Sequence, residues 1–231
     1  PIFNASGFII SGVLGMLYAL SFVNVTWPKK NNICTMAKES APLFLSNIAT
    51  SLYTSSNVII LGFLTNNSIT GIYASFEKII LALKSLYTPI YQAIFPWLSQ
   101  QKIIKPIVAK LSQYVFFIGL LGSITLVIFS DQILITAYNN PQIESFSFGF
   151  KLISSVMFLS GLNMLYNYLF LSSIKGYLVR LKVLGLAGLT GIILALGLTY
   201  FFGLYGTIIS VVLTEAFLLI LGYRIFRKIK V

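Results

Sequence analysis

Residues 69–98 read ITGIYASFEKIILALKSLYTPIYQAIFPWL, and whether this stretch crosses a membrane decides the fold. Hydropathy alone argues against a crossing, because Glu77, Lys78 and Lys84 interrupt an otherwise apolar run. The distribution of positive charge argues for it. Of the 16 Lys and Arg, 13 fall in four short clusters: Lys29, Lys30 and Lys38; Lys102, Lys105 and Lys110; Lys175, Arg180 and Lys182; Arg224, Arg227, Lys228 and Lys230. Long apolar stretches separate the clusters, and the intervening connections carry no cation. Basic connections that skip every other loop mark a polytopic membrane protein with those loops in the cytoplasm. The chain leaves the cytoplasm through residues 41–64 and must be back at Lys102, so residues 69–98 have to be the returning segment.

Working outward, spanning helices of about 20 apolar residues are expected over 5–25, 41–64, 69–98, 109–130, 146–172, 183–202 and 204–223. Trp27 and Pro28 mark the inner edge of the first. Residues 131–145, with Asp131, Asn139, Asn140, Pro141 and Glu144, form an outer connection, and Gly203 to Gly206 form a tight turn. About seven crossings from an outside start place the basic tail inside. The expected fold is therefore an all-α, polytopic membrane helix bundle.

Composition bounds the chemistry. With 57% hydrophobic and 9% charged residues, the chain is far from the roughly 25% charged of soluble domains. Its net charge of +11 is spread over loops on one side and suits anionic lipid headgroups; no nucleic-acid partner is expected. Cys34 is alone and there is no His, so no disulfide, thiolate metal site or usual proton shuttle is available. No G-x-x-x-x-G-K-[ST] loop occurs, and neither a cofactor nor a metal is expected. The outer connections, at most about 15 residues, leave no room for an extramembrane catalytic domain, so the chain reads as no enzyme. The N-x-[ST] matches at Asn4, Asn24 and Asn66 read as chance. The opening at Pro1, without a leader, suggests a piece of a longer protein.

Charges inside apolar segments need a reason. Glu77 and Lys84 are seven residues apart and share a helix face at about 100° per residue, with Tyr73 and Tyr91 close to it. Lys151 falls in the outer half of 146–172 and Glu215 near the middle of 204–223. Asn47, Thr50, Ser51, Thr54 and Asn57 form a polar stripe at helical spacing. Together these residues can line a hydrated path, with Lys78, Lys84 and Lys151 as its cations. The plainer reading is that Glu77 with Lys84, or Glu215 with one of the lysines, pairs to hold helices together, and that Ser and Thr pack. Five ionisable groups on three helices exceed what pairing requires, which favours a solute path. Pro89 is the expected kink or hinge, and Gly185, Gly188 and Gly191 form a ridge for close helix packing.

The runs Pro42-Leu43-Phe44-Leu45-Ser46-Asn47 and Asn57-Val58-Ile59-Ile60-Leu61-Gly62 resemble bacterial polysaccharide flippases, the O-antigen and capsule repeat-unit exporters of the Wzx type. So do Gly71-Ile72-Tyr73 with Glu77-Lys78-Ile79, and Pro89 with Ala93-Ile94-Phe95-Pro96. The superfamily also contains multidrug extruders and lipid II flippases. The resemblance implies the later part of a twelve-helix, two-lobed transporter: residues 1–40 as the last helix of a first lobe with the inter-lobe loop, and 41–231 as a six-helix lobe. It implies alternating-access export of an undecaprenyl-diphosphate-linked oligosaccharide across the inner membrane. Partners would be that lipid-linked oligosaccharide, the bilayer and other polysaccharide-assembly membrane proteins. Glu77 and Glu215 become ion-coupling candidates. An ion-coupled drug or metabolite antiporter and a membrane glycosyl polymerase subunit remain the alternatives.

Overall fold

The computed structural model describes residues 2–22 and 30–229. Asn24, Trp27, Pro28, Lys29 and Lys230 lie outside them. Among the described residues every regular element is helical, as the apolar segments require when no backbone group can turn to water.

The chain divides into two units, Pro1–Ala41 and Pro42–Val231. The first contains α1 (Ile2–Leu20) and the opening turns of α2 (Lys30–Leu64). Residues 30–40, expected as a basic loop, are thus helical. Their charges interrupt hydropathy without interrupting backbone hydrogen bonding, and Ala and Glu are good helix formers.

The second unit holds the rest of α2, followed by α3 (Asn67–Lys84) and α4 (Tyr87–Leu98). Asn66 accepts a hydrogen bond from the Ile69 amide at 2.9 Å and caps α3, which gives this Asn a structural role. The segment expected as one kinked helix is two helices. The break falls at Ser85 and Leu86, and the Thr88 amide reaches back to the Ser85 carbonyl at 3.2 Å. Pro89 has no N–H for that carbonyl and would clash with it in a continuous helix, so the disruption lies four residues before the proline.

α5 (Lys105–Ile128) exposes Phe117, Ile118, Leu121 and Ile128, as a lipid-facing surface would. Next comes the expected outer connection, which is ordered as α6 (Ser130–Tyr138) and one turn, α7 (Pro141–Glu144). Leu134 is fully buried, and the Tyr138 hydroxyl donates to the Ser75 carbonyl at 3.0 Å. Both tie this cap to the bundle. α8 (Ser147–Asn163) continues through a π-helical stretch, Met164–Phe170, into the short α9 (Leu171–Ser173). This continuous element is the most buried span and packs against α3, α5 and α10. Ser123 on α5 donates to the Ser154 carbonyl and accepts from the Phe158 amide, at 3.0 and 3.1 Å. Phe76 of α3, Phe150 and Ile153 of α8, and Ile208 of α10 are buried in one core.

α10 (Tyr177–Lys228) is two helices folded at Gly203, whose φ of 53° and ψ of −127° suit glycine. The expected turn at Gly203 to Gly206 is therefore present. A Cβ on Gly206 would collide with the Leu198 carbonyl, so only glycine lets the two limbs start this close. The Thr199 and Thr207 hydroxyls join the limbs at 2.8 Å. Of the glycine ridge, Gly188 meets the Ala49 carbonyl of α2 and Gly191 meets Thr214, whereas Gly185 faces open space.

Candidate functional site

Three cavities in the second unit take in the polar side chains at issue. The smallest, about 30 Å³, is lined by Asn57, Tyr73, Glu77, Lys84 and Glu215 among others. The largest, about 430 Å³, lies between α2, α8 with its π-helical stretch, and α10, and is lined in part by Asn47, Thr50, Ser51, Thr54 and Lys84. The third, about 360 Å³, takes in Tyr91, Gln92, Ser172 and Arg180. Lys84 and Glu215 line both the first and the second; Tyr168 and Arg180 line both the second and the third.

Lys84 is the last residue of α3, and Glu215 lies midway along the second limb of α10. Their side chains are 2.9 Å apart and only 19% and 5% exposed. Asn163 supports the carboxylate with a 2.6 Å bond from its amide nitrogen, which also reaches the Glu215 carbonyl at 2.9 Å. A buried pair held this way is costly to break from one side, since the survivor stays charged in a poorly solvated place. Lys84 thus takes Glu215 as its partner, while Glu77, on the same face, accepts from the Tyr73 hydroxyl at 3.3 Å. The break after α3 dissolves the face expected to join Tyr73 and Tyr91. Tyr91 lines the third cavity, where its hydroxyl donates to the Gly161 carbonyl at 2.8 Å.

The polar stripe of α2 does face the cavities. Thr50 and Thr54 spend their hydroxyl protons on backbone carbonyls one turn earlier, as Asn57 does with its amide. The cationic set does not assemble. Lys78 is exposed, about 120° around the helix from Lys84, and Lys151 pairs with Asp131 of α6 at 3.5 Å near the surface. Neither lines the three cavities.

The second cation of the large cavity is Arg180, grouped from sequence with the third cytoplasmic cluster. It is only 4% exposed. Its guanidinium donates to Asn47 Oδ1 at 2.9 Å and to Ser172 Oγ at 3.3 Å, and lies 4.3 Å from the centre of the Tyr168 ring. Ser160, Asn163 and Asn167 also line this cavity and escaped the sequence reading. Their signal was available: three polar residues at i, i+3 and i+7 within an apolar segment. No group of His, Cys, Asp and Glu able to hold a metal occurs among the described residues.

Apolar helices enclosing an ion pair and amide-lined cavities define an all-α integral membrane protein. Residues 2–102 match the model of a family described as "Polysaccharide biosynthesis protein". A Shigella dysenteriae protein named "Putative O-antigen transporter" is 35% identical over 96 residues, which cover 41% of this chain and 24% of that relative. Over these residues the chain is similar to a polysaccharide-biosynthesis family and to that transporter, and it spans about a quarter of the relative's length. No solved structure matches it.

Proposed function

We propose that this chain is part of a transporter that exports a lipid-linked oligosaccharide or polysaccharide repeat unit from the cytoplasmic to the outer leaflet by alternating access. The supporting observation is a pair of adjoining cavities with polar side chains inside an apolar bundle, in a chain similar to a polysaccharide-biosynthesis family and to a protein named "Putative O-antigen transporter". The protein sits in the inner membrane with its C-terminus in the cytoplasm, as the basic clusters suggest. It performs no covalent chemistry. Arg180 supplies the positive field of the path, and Lys84 adds its charge only when it parts from Glu215; Asn47, Thr50, Ser51 and Thr54 line it. Glu215, joined to Lys84 at 2.9 Å, and Glu77 are the groups through which an ion gradient would act. Pro89, beside the break between α3 and α4, is the hinge.

Complementation tests this reading. The full-length gene, expressed in a bacterium lacking its O-antigen flippase, should restore surface glycan. Lys84→Ala should lower export far more than Lys84→Arg at equal membrane abundance. Full activity in both variants would remove Lys84 from the path, and drug efflux without glycan export would favour the antiporter alternative.

A further inference from the structure

Buried polar side-chain atoms in folded proteins nearly always have partners. Six buried side-chain polar atoms lack one here among the described residues, and five of them belong to the lining of the 430 Å³ cavity. They are Ser160 Oγ, Asn163 Oδ1, both amide atoms of Asn167 and Arg180 Nε. Such clustering is not a packing accident. Ser160, Asn163 and Asn167 project from α8 and the π-helical stretch that follows it, a departure from regular helix that often accompanies function.

Two chemistries meet in this cavity. Asn167, 3% exposed, offers a donor and an acceptor from one rigid amide, while Ser160 offers either and Asn163 an acceptor. That mixture matches vicinal hydroxyls, each of which both donates and accepts. Arg180 differs. The described ion pairs are Lys84–Glu215 and Lys151–Asp131, so the buried guanidinium has no carboxylate. Asn47 and Ser172 take two of its five N–H groups, and Nε is left for an anionic oxygen. Lys84 is already neutralised by Glu215 at 2.9 Å and does not compete for that anion.

We propose that this cavity is a subsite for a sugar ring carrying an adjacent anionic oxygen. Arg180 Nε takes the anion, and Ser160, Asn163 and Asn167 take the ring hydroxyls. At about 430 Å³ it lies within the roughly 300–1,000 Å³ usual for small-ligand sites. The inference rests on the export reading and adds to it which groups hold the sugar end of the cargo. The anion is either a phosphate on the first sugar or the carboxylate of an acidic sugar, and both present the same chemistry to Arg180.

Equilibrium binding to the full-length protein in lipid nanodiscs tests the site, with glucose 1-phosphate, glucuronate, glucose and inorganic phosphate as probes. One of the two anionic sugars should bind about tenfold or more tighter than glucose and than phosphate, and the better one identifies the anion. Asn167→Leu should weaken that sugar about tenfold and leave phosphate within about twofold; Arg180→Gln should weaken both. Gly222→Ala gives an independent check. Its Cβ would stand 2.8 Å from Asn167 Nδ2 and push the amide aside, so it should act like Asn167→Leu without removing the group. Phosphate binding as tightly as either sugar, or sugar binding indifferent to both Asn167→Leu and Gly222→Ala in folded protein, overturns the proposal. Glycan complementation reads the export hypothesis separately. Sugar binding without export would leave the subsite standing and remove the transport role; export with Asn167-independent binding would do the reverse.

Discussion

Removing Lys84 alone should damage this protein more than removing Lys84 and Glu215 together. In Lys84→Met the Glu215 carboxylate, 5% exposed, keeps the 2.6 Å bond from Asn163 and loses the cation paired with it. Breaking a buried pair from one side costs about 3–5 kcal/mol, whereas replacing both partners by neutral groups of similar shape is often close to neutral. At roughly 2–4 °C per kcal/mol for a domain of this size, Lys84→Met should lower the apparent melting temperature by about 6–20 °C. The double variant Lys84→Met/Glu215→Gln keeps an acceptor for Asn163 and should recover most of that loss. The assay is thermal unfolding of purified protein in detergent, followed by the fraction surviving size-exclusion chromatography after heating. Single and double variants that melt together would refute the reasoning, because the cost would then come from lost packing and not from an orphaned charge. A Lys84→Met protein as stable as wild type would refute it more simply.

Two further outcomes follow from the geometry. Gly203→Ala forces a side chain onto a φ of 53° and ψ of −127°; a cost of about 1–3 kcal/mol is expected, read as a lower melting temperature in the same assay, and an unchanged value would place the turn elsewhere. Lys151→Ala breaks only a 3.5 Å surface pair with Asp131, so stability should change by about 0–1 kcal/mol and surface-glycan export should stay near wild type; a loss of export would bring Lys151 back into the path.

Each apolar stretch is locally legible, because a segment that cannot hydrate its backbone must satisfy it within its own helix. The turn at Gly203 could be read for the same local reason. So could the polar face of α2, where helical spacing alone lines up Asn47, Thr50, Ser51 and Thr54. The two-helix form of residues 69–98 was only half legible: Pro89 announced a disruption, yet its place at Ser85 and Leu86 depends on which carbonyl the ring excludes. The helix of residues 130–138 was hidden by polar composition, since Leu134 and Tyr138 find their burial and partner only against the assembled bundle.

Which of the possible pairs forms could not be read from the chain. The sequence offered Glu77 with Lys84, or Glu215 with one of the lysines, and packing brought Glu215 to Lys84 from 131 residues away. Arg180 looked like one more loop charge until α2, the π-helical stretch and α9 closed over it with Asn47, Tyr168 and Ser172. Helix formation depends on neighbours within a few residues, so sequence alone determined that the apolar stretches are helical and which residues share their faces. The site depends on how those faces meet. A charge in an apolar protein takes the partner that tertiary packing brings within about 3 Å, and no spacing rule along one helix can supply that distance.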